Sequence, residues 1–332
     1  MEDQQSLKFE LSYLMDVICF MDVLLELMPF SNKETLTHFQ DYLGYGSEAY
    51  LKKVKKILPK TESFRTLFLP VIVADPAFSQ LSPAEFLGNP KTLFQHYRQS
   101  PYCKQASARN NRFLAKHGDY MAEGAVQLIR DLERGGFKTF WLKEQLPLLK
   151  EIIGLFDEKA ADLNLEGRLR DFLQTAPVRK EVFVLAFPSH GLASLHNGQF
   201  LVSRSYSPER LVQSLVEDMV YAHDFKSALK KEKGRLKKWE SLKQSHKAAP
   251  KGIGSLMDYL DQSLKAAISC HLGVQLGLVL EPGTYFQEGL KERYTLASQL
   301  WGHLDLMPPG CHVQDCLEGL LAHFADGAPV IG

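Results

Sequence analysis

Apolar positions in the first half of the chain recur at helical spacing, and Pro and Gly separate the successive segments. Two helix starts are clear: Ser31 or Asn32 supplies a side-chain cap, and Ser82 is followed by Pro83 and forms a capping box with Glu85. The pattern predicts a nearly all-helical region up to about residue 149. The expected helices are 7–28, 32–43, 48–58, 106–134, 142–155 and 157–175, while 64–73 fits either a helix or a buried strand.

The pattern changes after Pro177, where β-branched and aromatic residues cluster in short runs. Two strands are predicted, over 181–187 and 199–204, with Asn197-Gly198 as the turn signal before the second. Ser207-Pro208 then starts a helix that we expect to reach about residue 229. Further helices are expected over 256–272, 286–304 and 313–325.

These elements predict an α+β fold that is predominantly α-helical: a helical N-terminal region, a small sheet, and a helical core after it. We expect a boundary near residue 150, with a helical region over 1–150 and an α+β region with a helical C-terminus over 151–332. One continuous domain is the alternative.

Composition favours a globular protein with a substantial core, since the 332 residues are 45% apolar and 23% charged. Lys plus Arg equals Asp plus Glu, 39 each, so net charge does not favour nucleic acid or a membrane surface. Asp16, Asp22 and Glu26 interrupt the apolar run 11–30, which predicts an amphipathic or half-buried helix rather than a membrane anchor. Five scattered cysteines favour free thiols in a reducing compartment, so we expect a cytoplasmic protein.

The helix after Ser207 carries the most informative motif. In HExxH zinc peptidases two His one turn apart hold the metal, and the Glu after the first His activates the bound water. Residues 215–223, Leu-Val-Glu-Asp-Met-Val-Tyr-Ala-His, resemble the active helix of the gluzincin metallopeptidases, which also follows a strand and an edge strand. Matched by position, the first ligand falls on Val216, the general base on Glu217 and the second ligand on Val220.

The resemblance extends over about 181–272 and implies a zincin-like core whose metal ligands are replaced. Gluzincins take their third ligand from a Glu on a later helix, and residues 257–268 resemble that helix with Gln262 or Asp261 at the ligand place. Gln is a poor zinc ligand and Val is none, so the resemblance implies a vestigial Glu217 and no metal or cofactor.

Two other interpretations of the same residues stand beside this one. A Glu followed by apolar residues at helical spacing is also typical of any half-buried helix. A different metal site could draw on His190 and His196 in the loop between the strands, and on His223 and Asp224. On a regular helix, however, Glu217 and Asp224 share a face while His223 does not, which offers two carboxylates and no His pair.

A basic segment follows, with ten Lys or Arg and two Glu between residues 226 and 251. It could contact nucleic acid or an acidic partner through its charges. We favour the interpretation that this segment is a solvent-exposed helix with a loop. A single Trp cannot stack on several bases, and the rest of the chain balances the charge. The central basic residues are Lys230, Lys231, Lys233, Arg235, Lys237 and Lys238.

The leading hypothesis is therefore a catalytically inactive metallopeptidase-like protein that acts in binding or interaction. The sequence does not identify its partner, and a protein is one candidate. An enzyme of another class is the alternative, with a site that converges only in three dimensions. The sequence contains no GxSxG, P-loop or dinucleotide-binding pattern that would identify such a class. A third hypothesis is a helical scaffold or regulator that uses the basic segment.

Overall fold

The computed structural model describes most of the chain in fourteen stretches. These are residues 7–27, 30–59, 62–74, 81–99, 108–174, 180–187, 192–194, 199–225, 229–230, 233–236, 239–249, 254–289, 295–304 and 312–325. The chain divides into two compact units. The first unit comprises Met1–Leu155 and Arg179–Tyr206, and the second comprises Phe156–Val178 and Ser207–Gly332.

A four-stranded sheet lies in the first unit. Its strands are β1 (Leu7–Glu10), β2 (Lys180–Leu185), β3 (Leu192–Ser194) and β4 (Gln199–Ser203), in the order β1-β2-β4-β3. The first three strands in that order pair in parallel, and β3 pairs antiparallel with β4. The region of gluzincin resemblance thus spans both units, since its strands belong to the first unit and its helices to the second.

The two strands predicted after Pro177 are confirmed, but the second is not the edge strand that the resemblance implies. β2 and β4 are parallel neighbours, and β4 is an interior strand whose five residues are all buried. The edge strand next to it is β3, which lies where we expected only a loop. Continuous apolar runs are typical of such parallel strands, because both faces of the strand are covered.

The prediction that a helix begins at residue 7 was wrong, because Leu7–Glu10 forms β1 and pairs with residues of β2. The helix starts after Ser12, whose hydroxyl oxygen accepts a hydrogen bond from the Met15 N–H. The ambiguous run 64–73 is helical, with Pro70 inside it. The helices that start in this part of the chain are α1 (Tyr13–Leu24), α2 (Lys33–Asp41), α3 (Tyr45–Ile57), α4 (Phe64–Ala74), α5 (Pro83–Leu87), α6 (Pro90–Gln99), α7 (Ala108–Arg134), α8 (Phe137–Phe140) and α9 (Leu146–Asp162).

A π-helical turn, Trp141–Gln145, joins α8 to α9, so the expected start of a helix at residue 142 falls within a longer helical run. The boundary between the two units falls inside α9. The predicted boundary near residue 150, between a helical region and an α+β region, stays a prediction.

The described part of the second unit is helical and packs around apolar clusters, the larger of which is called the apolar core of this unit below. The side chains of this core come from positions between Leu165 and Leu320, and they include Leu169, Val216, Leu264, Leu300 and Leu317. The helices of this unit are α10 (Leu165–Leu173), α11 (Pro208–Ala222), α12 (Lys233–Leu236), α13 (Glu240–Ala248), α14 (Leu256–Gln275), α15 (Pro282–Thr284), α16 (Thr295–Leu304) and α17 (Val313–Ala325), with a π-helical turn Tyr285–Gly289 after α15.

The fold class is α+β and predominantly α-helical, as the sequence predicts. Within the described stretches, no helix combines the length and the apolar character that crossing a bilayer would require.

Candidate functional site

The α11 helix begins where the sequence predicts and carries the residues of the HExxH-like motif. Ser207 caps it by accepting a hydrogen bond from the Arg210 N–H, and Pro208 occupies the first turn. The helix ends at Ala222, earlier than the expected residue 229, because His223 takes an extended backbone conformation. α11 packs against α14, the helix in which the third ligand position was expected.

Val216 and Val220 point into the apolar core of the second unit. Both side chains are 0% exposed, in one cluster with Leu260 and Leu264 of α14. Neither carries an atom that could bind a metal ion. The two positions at which the resemblance places imidazoles thus contribute hydrocarbon packing.

Glu217 lies beside this core and is engaged by neighbouring side chains. Its Oε1 accepts hydrogen bonds from the Tyr285 hydroxyl at 2.9 Å and from the Gln213 Nε2 at 3.3 Å. Burial raises the pKa of the Glu217 carboxyl, although both hydrogen bonds act in the opposite direction. Burial raises the pKa of the Tyr285 hydroxyl, and the charge of Glu217 raises it further. The pair forms a semi-buried carboxyl–phenol contact that holds the π-helical turn against α11.

Asp261 and Gln262 lie on α14, at the predicted place of the third ligand. The Asp261 carboxylate is fully buried and pairs with the Lys265 ammonium, with Oδ2 and Nζ 3.1 Å apart. The Gln262 Nε2 donates a hydrogen bond to the same oxygen at 3.3 Å. Lys265 therefore neutralises the acid that the sequence offered as an alternative ligand.

The remaining predicted metal candidates do not assemble with Glu217 in the described parts of the chain. His223 and Asp224 follow the end of α11, so the expected shared face of Glu217 and Asp224 was wrong. Burial lowers the pKa of His223, and its ring lies 4.6 Å from that of Phe225. His190 and His196 lie outside the described residues. Where side chains are described, no group of three His, Cys, Asp or Glu could hold a metal ion.

The basic segment is described only in part. Lys230 is exposed, and Lys233 and Arg235 belong to the short helix α12, of which only the backbone is described at these two positions. Lys231, Lys237 and Lys238 lie outside the described residues. Contact of this segment with nucleic acid or an acidic partner stays a prediction.

Sequence reasoning missed three residues of this site: Gln213, Lys265 and Tyr285. Gln213 and Lys265 stand four residues from Glu217 and Asp261 respectively, a helical spacing at which side chains meet, so that signal was available. No local pattern could have predicted the contact of Tyr285 with Glu217, because the two residues are 68 positions apart in the chain.

Comparison with known proteins gave no match: no family model, no curated protein and no solved structure corresponds to this chain.

Proposed function

We propose that this protein is a catalytically inactive, metallopeptidase-like protein that acts by binding rather than by catalysis. The observation that carries the proposal is the complete burial of Val216 and Val220 at the positions where the resemblance places zinc ligands. Each buried Val contributes about 1.5 kcal/mol or more to stability, whereas an unpaired buried imidazole would cost stability. A helix packed in this way is stable without a metal ion.

The surroundings of Glu217 support the same proposal. A zincin base must contact a metal-bound water, but this carboxyl accepts hydrogen bonds from Tyr285 and Gln213. Asp261 is likewise paired with Lys265. Glu217 and Asp261 thus each have a structural partner, which fits a site used for packing and recognition.

Metal content and peptidase activity test the proposal together. Protein purified without chelator should contain far less than stoichiometric zinc, iron or manganese by elemental analysis. Hydrolysis of a casein substrate should be at background level for the wild type, for Glu217→Gln and for the control Glu209→Gln, which changes an exposed Glu on the same helix. Stoichiometric metal would contradict the proposal, as would hydrolysis that Glu217→Gln abolishes and Glu209→Gln preserves.

A further inference from the structure

A cavity of about 300 Å³ opens in the second unit, away from Glu217. It lies where α10, the end of α14 and the start of α17 meet, and its volume falls at the lower end of the range for small-molecule sites. Apolar side chains form part of its wall, namely Phe172, Leu272 and Leu276. These three side chains are at least nine-tenths buried, so this part of the wall is fixed by the core.

Two opposite charges line the same cavity from one helix face. Arg168 and Asp171 are three residues apart on α10, a spacing that places their Cβ atoms about 5–6 Å from each other. Arg168 donates one hydrogen bond through Nη1 to the Gln275 carbonyl oxygen, at 3.3 Å, which leaves its other N–H groups available. Neither side chain has an ion-pair partner among the residues that the structure describes.

His312 adds a hydrogen-bond acceptor to this wall. Its Nδ1 lies 2.8 Å from the Asp171 carbonyl oxygen. A carbonyl oxygen only accepts, so Nδ1 carries the proton, and in the neutral ring Nε2 is left with a lone pair. The His312 backbone N–H donates to the Asp315 carboxylate at 3.1 Å, which fixes the residue at the start of α17.

We propose that this cavity binds a free α-amino acid with an apolar side chain. The Arg168 guanidinium receives the carboxylate of the amino acid. The Asp171 carboxylate and the His312 Nε2 accept hydrogen bonds from its ammonium group, and the apolar side chain packs against Leu272 and Leu276. A simple anion would leave Asp171 unmatched, and a hydrocarbon would leave both charges unmatched. This site is separate from α11 and does not rest on the function proposed above.

Calorimetric titration of the full chain with L-leucine and two analogues tests each half of the recognition. L-Leucinamide lacks the carboxylate and 4-methylpentanoate lacks the ammonium, so each should bind at least about tenfold more weakly than L-leucine. Arg168→Gln and Asp171→Asn should each weaken the binding of L-leucine by about the same factor. The matched control is Arg170→Gln, which removes an exposed charge on the same helix outside the cavity and should bind L-leucine like the wild type.

Three results would overturn the proposal. The first is no binding of L-leucine, L-methionine or L-phenylalanine up to about 10 mM, a concentration that reaches weak sites. The second is equal binding of L-leucine and 4-methylpentanoate, which would indicate a plain anion site. The third is an equal effect of Arg168→Gln and Arg170→Gln in variants whose thermal unfolding matches the wild type.

Discussion

Two buried aspartates show most clearly what single residues do in this fold. Asp16 accepts hydrogen bonds from the Trp141 Nε1 and from the Ala186 N–H, both at 2.7 Å. Asp22 accepts from the Phe64 and Arg65 N–H groups and so caps α4. We read both from the sequence as polar interruptions of a half-buried helix. Their full burial was not predictable, because the donors lie 42 to 170 residues away along the chain.

Burial raises the pKa of Asp16 to about 7 and that of Asp22 to about 6, from an ordinary value of 3.8. The hydrogen bonds to each carboxylate lower its pKa but do not offset the loss of hydration. The folded protein therefore binds more protons than the unfolded chain between about pH 4 and pH 7. Stability from these groups is fully present below about pH 4 and is lost as the pH rises through 6 and 7.

The Asp16→Asn variant should flatten this pH dependence. Asp16 accounts for roughly 4 kcal/mol of the change across that range, because each pKa unit corresponds to about 1.4 kcal/mol. Urea unfolding of the wild type at several pH values between 4.5 and 8 should show stability falling with pH. The slope should be clearly smaller in Asp16→Asn and unchanged in the control Asp119→Asn, which alters an exposed Asp. A wild-type slope in Asp16→Asn would refute the role of this carboxyl.

At the scale of elements, α14 is buried along most of its length although it contains charged residues. Its Asp261–Lys265 pair is almost inaccessible to solvent, and the Lys265 ammonium lies 5.9 Å from the centre of the Phe225 ring. In such surroundings each charge depends on the other, because removal of one leaves a buried charge without compensation.

Lys265→Met should therefore destabilise the protein by about 3–5 kcal/mol, since Asp261 would lose its counter-charge. The double variant Asp261→Leu/Lys265→Met should be close to the wild type, because a buried ion pair contributes little compared with apolar packing of similar volume. Urea denaturation of Asp261→Leu, of Lys265→Met and of the double variant gives the coupling energy between the two side chains. Additive losses would mean that the two charges do not depend on each other.

The start of a helix was predictable where a side chain caps that helix by accepting a hydrogen bond from a backbone N–H of its first turn. The starts at Ser82 and Ser207 carry such caps, and the last helix, Val313–Ala325, was predicted with both ends correct. The strand Leu7–Glu10 was not predictable, since four residues have no strand signal until they pair with Lys180–Leu185 far along the chain.

At the scale of the whole molecule, the sequence supplied the fold class but not the long-range pairing. The parallel pairing of β1 with β2 joins residues that lie 173 positions apart, as Leu7 and Lys180 do, and no local pattern encodes it. The same limit applies to the candidate site. The spacing on α11 identified Val216, Glu217 and Val220 as one motif, while the contact between Glu217 and Tyr285 depends on tertiary packing.

We propose that α11 and α14 retain the layout of a zincin site whose ligands have been replaced. Restoring the ligands tests it: Val216→His, Val220→His and Gln262→Glu together would recreate two His and one Glu at the matched positions. The control is Val212→His, Val216→His and Gln262→Glu, which places the same His spacing one turn earlier in the same buried core.

The decisive measurement is zinc affinity of the two triple variants by competition with a chromogenic chelator, with circular dichroism to compare folding in the presence of zinc. The restored variant should bind one zinc ion per chain at least about tenfold more tightly than the control, because only its three ligands stand at the positions that the resemblance places around one metal ion. Equal affinity of the two folded variants, or no zinc binding by the restored one, would contradict the proposal that α11 and α14 retain this layout.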